Sequence, residues 1–132
     1  MKASLLDTHV FLWFVGDDPR LPSAVKSALE EAGHRLFLSS ISAFEIAIKH
    51  GLGKLPLDVT LEELLGEQLR INQIELLPLK PAHLVAYGDL PFPTSGHRDP
   101  FDRILVVQAQ VDRLRLISVD SAFSDYGIEP SW

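Results

Sequence analysis

The sequence predicts an α/β fold, a three-layer α/β/α sandwich with a central, mostly parallel sheet. Short apolar runs typical of buried strands alternate along the chain with longer stretches of helical periodicity, and glycine, proline or polar residues separate them. The chain has 132 residues, of which 46% are hydrophobic. This length supports one core and is too short for two. We therefore expect a single domain over residues 1–132.

The first half of the chain contains two predicted strands and three predicted helices. In order, these are a strand at 2–6 that stops at Asp7, a helix at 10–15 ended by Gly16, a helix at 22–32 with Gly33 beyond it, a strand at 36–38, and a helix at 39–50 closed by Gly51. Glycine just past a helical pattern is a typical C-terminal signal.

The second half repeats the alternation. In order, it predicts an amphipathic helix at 60–72, a strand at 74–77, a helix at 81–87, a loop at 89–96, a helix at 99–114, a strand at 116–119, and a short helix at 121–126. Thr60 and Glu63 form a capping-box pattern, and Pro81 suits a first helical position. With helices between all strands, we expect a parallel sheet covered on both faces.

Composition excludes several classes of protein. Without cysteine, the chain has neither a disulfide framework nor a thiolate metal site, and it suits a reducing compartment. Asp7 interrupts the apolar N-terminal stretch, so we predict no signal peptide, and no run is long enough to span a membrane. We expect a cytoplasmic protein without a membrane partner. The net charge of −6 argues against a nucleic-acid binder unless a bound cation changes the local sign.

Two acids are predicted at strand ends. Asp7 and Asp120 each follow an apolar strand, and ligands of parallel sheets bind beyond the carboxyl ends of the strands, near the point where strand order reverses. Each of the two could instead cap the helix that follows it.

Glu45 falls within an apolar stripe of the helix predicted at 39–50. The stripe consists of Ile41, Phe44 and Ile48. Glu45 either points into a pocket bordered by this stripe or lies at the edge of the stripe and pairs with Lys49.

Asp99 and Asp102 open a helix that is apolar all round at its centre. Asp99 suits the N-cap before Pro100, and we assign it to capping with an accessory role. We assign Asp102 to the pocket, because it shares a face with buried positions. Carboxylates about 5 Å apart repel by roughly 3 kcal/mol at an effective dielectric near 20, so a cluster must raise its pKa values or bind a cation. Oxygen ligands favour Mg²⁺ or Mn²⁺.

The ordered motifs resemble those of PIN-domain nucleases, in particular toxins of the VapC type. The resemblance covers nearly the whole chain and consists of Leu5-Leu6-Asp7-Thr8-His9, Glu45-Ile46-Ala47-Ile48-Lys49 with Gly53-Lys54-Leu55, His97-Arg98-Asp99-Pro100-Phe101-Asp102-Arg103, and Ser118-Val119-Asp120 with Phe123 and Tyr126-Gly127. The pieces occur in the same order as in that family, and the ordered set carries the resemblance.

The resemblance implies a PIN-like fold and a metal-dependent endoribonuclease. Its catalytic and metal-binding acids would be Asp7, Glu45, Asp102 and Asp120 with Mg²⁺ or Mn²⁺, and its accessory residues would be Asp99, Ser118 and Thr8. It also implies an RNA substrate (tRNA, rRNA or mRNA), a homodimer and a cognate VapB-type antitoxin. Metal-assisted hydrolysis of the phosphodiester would follow.

Cations beside the acidic helix start are candidates for RNA phosphate contacts. They are His97, Arg98 and Arg103. Arginine suits bidentate phosphate contacts, although Arg103 could equally pair with Asp99.

Two other acid-dependent classes fail on spacing. A haloacid-dehalogenase-type phosphatase needs an aspartate two residues after the first, where this chain has His9, and a receiver domain needs an adjacent acidic pair, which Leu6 and Thr8 exclude. A PIN-fold module that binds RNA or a partner without cleavage, and a DNA-directed nuclease, both stay open.

Overall fold

The central sheet has four strands in the order β3-β2-β1-β4. In the computed structural model, which describes residues 2–128, the strands are β1 (Ala3–Leu6), β2 (Arg35–Ser39), β3 (Ile74–Leu77) and β4 (Arg115–Ile117). Every pairing is parallel. The predicted α/β class with a parallel sheet is confirmed. The ends of the predicted domain, residue 1 and residues 129–132, lie outside the described residues.

Helices fill the connections between the strands. They are α1 (Thr8–Val15), α2 (Ser23–Leu29), α3 (Ser40–Gly51), a π-helical segment (Glu63–Gln68) that continues into α4 (Leu69–Ile71), α5 (Pro81–Asp89), α6 (Pro100–Val111) and a 3₁₀ helix (Ser121–Tyr126). Within residues 2–128, no helix combines the length and apolar character needed to cross a membrane.

The sheet separates two hydrophobic layers. Successive strand residues point to opposite faces, so Leu6 and Ile117 pack with α1, α2 and α4, whereas Leu5 and Leu116 pack with α6 and the 3₁₀ helix. The connection after β3 returns across the sheet to place β4 beside β1. The strand order therefore reverses between β1 and β4, and this point is where a ligand site is expected.

The helix predicted at 60–72 is present, but its central part is π-helical. Thr60 does accept a hydrogen bond from the backbone N–H of Glu63 at 3.1 Å, as its capping pattern predicted, but the helix is π-helical over Glu63–Gln68. A π-helix hydrogen-bonds five residues apart, which turns Leu64 and Leu69 to the same side. Both leucines are buried in the core, and this packing favours the wider helix.

Candidate active site

Asp7 directly follows β1, at the point where the strand order of the sheet reverses between β1 and β4. Its backbone N–H donates to the carbonyl of Ile117 at the end of β4. Its carboxylate accepts hydrogen bonds from the backbone N–H of Thr8 and the hydroxyl of Ser118, each at 2.7 Å. Burial raises the pKa of Asp7, whereas these two hydrogen bonds lower it. Asp7 thus caps α1 and also presents a buried, oriented carboxylate at the switch point.

Glu45 reaches the same place from α3. Its Oε1 accepts a hydrogen bond from the Thr8 hydroxyl at 2.9 Å, and its Oε2 pairs with Lys49 Nζ at 2.8 Å. The negative charge of Glu45 contributes to the raised pKa of Asp7. Glu45 therefore contacts Thr8 beside Asp7, and the predicted pair with Lys49 is present.

The apolar stripe predicted on α3 is divided between the surface and the core. Phe44 is 58% exposed and Ile48 is 37% exposed, whereas Ile41 packs against the core cluster that contains Leu5 and Leu116. The buried residues of α3 are Ser42 and Ile46. Phe44 and Ile48 therefore face outward.

Asp102 enters the site from the first turn of α6. The predicted capping role of Asp99 is confirmed, because its Oδ1 accepts hydrogen bonds from the backbone N–H groups of Phe101 and Asp102 at 2.9 and 3.3 Å. Burial, followed by the negative charges of Asp99 and Asp7, raises the pKa of Asp102 to about 6, although the contact with His97 opposes the shift. The negative charge of Asp7 therefore acts on the Asp102 carboxylate.

Asp120 is joined to the site through its backbone more than through its side chain. Its N–H donates to the hydroxyl of Ser118 at 3.0 Å, and that hydroxyl in turn donates to Asp7. The exposed Asp120 carboxylate accepts a hydrogen bond from the N–H of Ala122 at 2.9 Å and caps the 3₁₀ helix. Among residues 2–128, no group of three or more acidic or histidine side chains is already spaced to hold a metal ion.

The three candidate phosphate contacts have different surroundings. His97 lies between Asp102 Oδ2, 3.1 Å from its Nε2, and Tyr126 Oη, 2.7 Å from its Nδ1. Arg98 is exposed, with its guanidinium 4.6 Å from the centre of the Phe92 ring. Only Arg98 therefore has the freedom that a surface phosphate contact needs.

Arg103 is not a surface residue, and both predictions for it are wrong. It is 1% exposed, and its guanidinium donates to the carbonyls of Leu90 and Pro91 at 2.7 and 3.3 Å. Its side chain forms no ion pair with Asp99, since the cation is directed into the loop that precedes α6. An RNA phosphate has no access to it.

Two further residues lie near the acids. The sequence makes Lys49 a possible partner of Glu45 and a further candidate for phosphate contact. The hydrogen bond that Lys49 donates to Glu45, followed by the charges of Glu45, Asp99 and Asp102, raises its pKa. Tyr126 was noted only as part of a motif, although its hydroxyl contacts His97. The spacing of four between Glu45 and Lys49 was a usable signal for the first, whereas nothing local marked the second.

An all-parallel sheet with carboxylates from three elements at its switch point defines a recognisable class. The chain belongs to the PIN domain family, whose model matches residues 4–129. It is 29% identical over 120 residues to Ribonuclease VapC22 of Mycobacterium tuberculosis, and the match covers 91% of this chain and 88% of that protein.

Solved structures share the fold at low sequence identity. A crystal structure of VapBC2 from Rickettsia felis, bound to a DNA fragment from its promoter, matches with a TM-score of 0.71 and 15% identity over 98% of this chain and 97% of that one. The crystal structure of FitAcB from Neisseria gonorrhoeae matches with a TM-score of 0.63 and 18% identity over 96% of this chain and 94% of that one. These similarities confirm the PIN-like fold.

Proposed function

We propose that this chain is a metal-dependent endoribonuclease that hydrolyses RNA phosphodiester bonds and serves as the toxin of a toxin–antitoxin pair. The observation that carries the proposal is the convergence of Asp7, Glu45 and Asp102, from three separate elements, on the switch point of the sheet. The identity with a protein named Ribonuclease VapC22 supports RNA as the polymer.

The donor set fits Mg²⁺ or Mn²⁺. All of its ligand atoms are carboxylate oxygens, which hard divalent cations prefer. Burial and, after it, neighbouring negative charges raise the pKa values of Asp7 and Asp102, and a bound cation would favour the ionised carboxylates against both effects. We assign Asp7, Glu45, Asp102 and Asp120 to holding it. A bound divalent ion supplies Lewis acidity toward the phosphate and acidifies water.

The other residues of the site orient these carboxylates. Thr8 connects Asp7 to Glu45, because its N–H donates to the first and its hydroxyl to the second. Ser118 likewise connects Asp7 to Asp120, because its hydroxyl donates to the Asp7 carboxylate and accepts from the Asp120 N–H. Preorganised partners of this kind lower the cost of assembling a charged site. Asp99 holds the start of α6, and thereby the backbone of Asp102, in place.

We assign the exposed positive side chains beside the carboxylates to contacts with the RNA phosphates. Arg98 is exposed, and Lys49 is 46% exposed at its side chain. A phosphate that approaches the carboxylates passes within reach of these positive groups, and arginine can bind it through two parallel hydrogen bonds. This local positive charge, together with the bound cation, offsets the net charge of −6.

The decisive experiment is cleavage of labelled tRNA and rRNA, with matching DNA, by the purified protein free of any partner. Reactions contain Mg²⁺, Mn²⁺ or EDTA and use the wild type, Asp7→Asn and Asp102→Asn, with the exposed acid Asp89→Asn as the matched control. We expect metal-dependent RNA cuts that only the control variant retains. Cuts that survive both site substitutions would mean a contaminating nuclease or a wrongly placed site.

Two negative outcomes point to the alternatives. If the folded wild type binds RNA without cutting any member of the panel, a PIN-fold binding module replaces the nuclease. If DNA is cut and RNA is not, the same acids serve a DNA-directed nuclease.

We also propose a homodimer and an antitoxin partner. Phe44 and Ile48 on α3 and Leu52 at its C-cap are spaced four residues apart and are 58%, 37% and 64% exposed, and an exposed apolar group of this kind favours an interface. The structural similarity to VapBC2 and FitAcB supports the antitoxin. Light scattering gives the molar mass of the wild type and of Phe44→Glu, and we expect the introduced charge to dissociate the dimer. An unchanged mass would exclude Phe44, Ile48 and Leu52 as the dimer interface.

A further inference from the structure

Arg103 is a buried cation that has no carboxylate partner among residues 2–128. Its side chain is enclosed by aromatic rings, with the guanidinium carbon 4.0 Å from the centre of Phe92, 5.2 Å from Tyr87 and 5.8 Å from Tyr126. Burial of an unpaired charge is costly. Here backbone carbonyls and ring faces compensate for it, yet Nε has no hydrogen-bond partner among the described residues.

The guanidinium connects two segments that flank the site. It donates to the carbonyls of Leu90 and Pro91, in the loop after α5. It also donates to the hydroxyl of Tyr126 at 3.3 Å, at the end of the 3₁₀ helix. Arg103 therefore holds the Tyr126 hydroxyl at a fixed position relative to α6.

The Tyr126 hydroxyl in turn sets the orientation of His97. It lies 2.7 Å from His97 Nδ1 and donates to the backbone carbonyl of the same residue at 3.4 Å, while the two rings pack edge to face, with centroids 5.5 Å apart. These contacts fix the ring so that Nδ1 faces the Tyr126 hydroxyl and Nε2 lies 3.1 Å from Asp102 Oδ2.

These contacts form a continuous path from a buried arginine to a proposed metal ligand. Asp102 and Arg103 are neighbours in sequence, but their side chains point in different directions from α6. Contacts from Arg103 to Tyr126, from Tyr126 to His97 and from His97 to Asp102 connect the two side chains. A carboxylate fixed at one oxygen loses less rotamer freedom when the other oxygen binds a ligand.

We propose that Arg103 and Tyr126 are positioning residues that act through His97 to fix the Asp102 carboxylate for metal binding. The proposal rests on the proposed function, since it assigns Asp102 to the metal. A purely structural role for Arg103 would hold the loop after α5 without any effect on His97 or Asp102. The two roles differ in what the removal of the Tyr126 hydroxyl does.

Tyr126→Phe is the main test, and Tyr87→Phe is its matched control. Both variants remove one hydroxyl from a ring beside Arg103, but within the described part of the chain only Tyr126 contacts His97. The measurements are the Mn²⁺ affinity without RNA, kcat and KM for RNA, the thermal midpoint, and the ¹⁵N shifts of the His97 ring. His97→Asn and the double variant His97→Asn/Tyr126→Phe complete a mutant cycle.

We expect Tyr126→Phe to weaken Mn²⁺ binding and lower kcat by about tenfold each, the low end for a residue that supports a metal ligand. KM for RNA should change little, and the ¹⁵N shifts of the His97 ring should move away from their wild-type values. Tyr87→Phe should leave these values at the wild-type level. In the His97→Asn background, loss of the Tyr126 hydroxyl should add little.

Two sets of results would overturn the proposal. One is a Tyr126→Phe protein with wild-type Mn²⁺ affinity, kcat and His97 shifts; the other is a loss of equal size in Tyr87→Phe, which would mean a structural role. If the wild type itself cleaves no RNA, the proposed function fails, while the His97 shifts still decide whether Tyr126 orients that ring.

Discussion

Ser118 donates a 2.7 Å hydrogen bond to Oδ2 of Asp7 across 111 positions of sequence. The contact joins the carboxyl ends of β1 and β4, the two strands between which strand order reverses. Because Ser118 also accepts from the N–H of Asp120, one hydroxyl ties together the first and last acids of the proposed site. The switch point is thus held by side chains as well as by the sheet.

Ser118→Ala should destabilise the protein and do so more at high pH. Oδ2 of Asp7 would lose its buried donor, at a cost of about 1–3 kcal/mol. Since the Ser118 hydrogen bond lowers the pKa of Asp7, its loss raises that pKa further and penalises the ionised form. Urea unfolding at pH 5 and pH 8 measures the effect. Ser124→Ala, which removes an exposed hydroxyl, is the control, and an equal loss in both variants would contradict the prediction.

Without metal, Asp102 should make the protein less stable as pH rises. Its pKa is raised from 3.8 to about 6 in the folded state, so between these values the folded chain binds a proton that the unfolded chain has released. The contribution to the free energy of unfolding therefore falls as pH rises through this window, by roughly 3 kcal/mol at most.

The comparison with Asp102→Asn isolates this effect from other titrating groups. Asparagine avoids the buried charge, so in EDTA the variant should gain stability over the wild type as pH rises from 5 to 7.5. Saturating Mg²⁺ should cancel the gain, because the wild type alone binds the ion. A stability difference that is independent of pH would show that Asp102 has an ordinary pKa.

The fold could be predicted because its signals are local. Each strand is a short apolar run, and capping residues such as Asp99 mark a helix start whatever lies around it. The π-helical segment could not be predicted, since its form depends on burying Leu64 and Leu69 together against the sheet. That requirement exists only once the chain has folded.

The site was predictable where residue type and strand position coincide, as at Asp7. The burial of Arg103 could not be predicted, because its partners are the carbonyls of Leu90 and Pro91 and aromatic rings. None of these groups is charged, so the sequence contains no charge pattern that marks them as partners. The spacing of four from Asp99 suggested an ion pair instead. A hydrogen bond as distant in sequence as that between Ser118 and Asp7 also leaves no periodic signal.

Lys49→Met should tighten metal binding at low salt. The Lys49 ammonium pairs with Glu45 and interacts with Asp99 and Asp102, so its positive charge opposes a second cation among these acids. Its removal should raise Mn²⁺ affinity about fivefold, on the order of 1 kcal/mol, and high salt should shrink the gain. Calorimetric titration measures it. Lys49→Arg keeps the charge and should behave as the wild type, whereas equal affinity in all three proteins would exclude Lys49 as a competitor of the metal.

His83 should matter for stability and not for the site. Its ring is fully buried; Nδ1 accepts from the N–H of Lys80 at 2.9 Å, and Nε2 contacts Asp112 Oδ2 at 2.8 Å, which fastens the start of α5 to the end of α6. His83→Ala leaves a cavity and removes the acceptor of the Lys80 N–H, and should cost about 2–4 kcal/mol of unfolding free energy.

Asp112→Asn is the matched control, because its amide oxygen still accepts from His83 and the loss should be smaller. Below its melting temperature, His83→Ala should keep the wild-type Mn²⁺ affinity, since the hydrogen bonds of His83 are confined to the α5 start and the α6 end and reach none of the carboxylates at the switch point. Urea unfolding and Mn²⁺ titration of the same preparations separate the two effects. A weaker Mn²⁺ site in a variant that is still fully folded would mean that α5 and α6 transmit strain to Asp102.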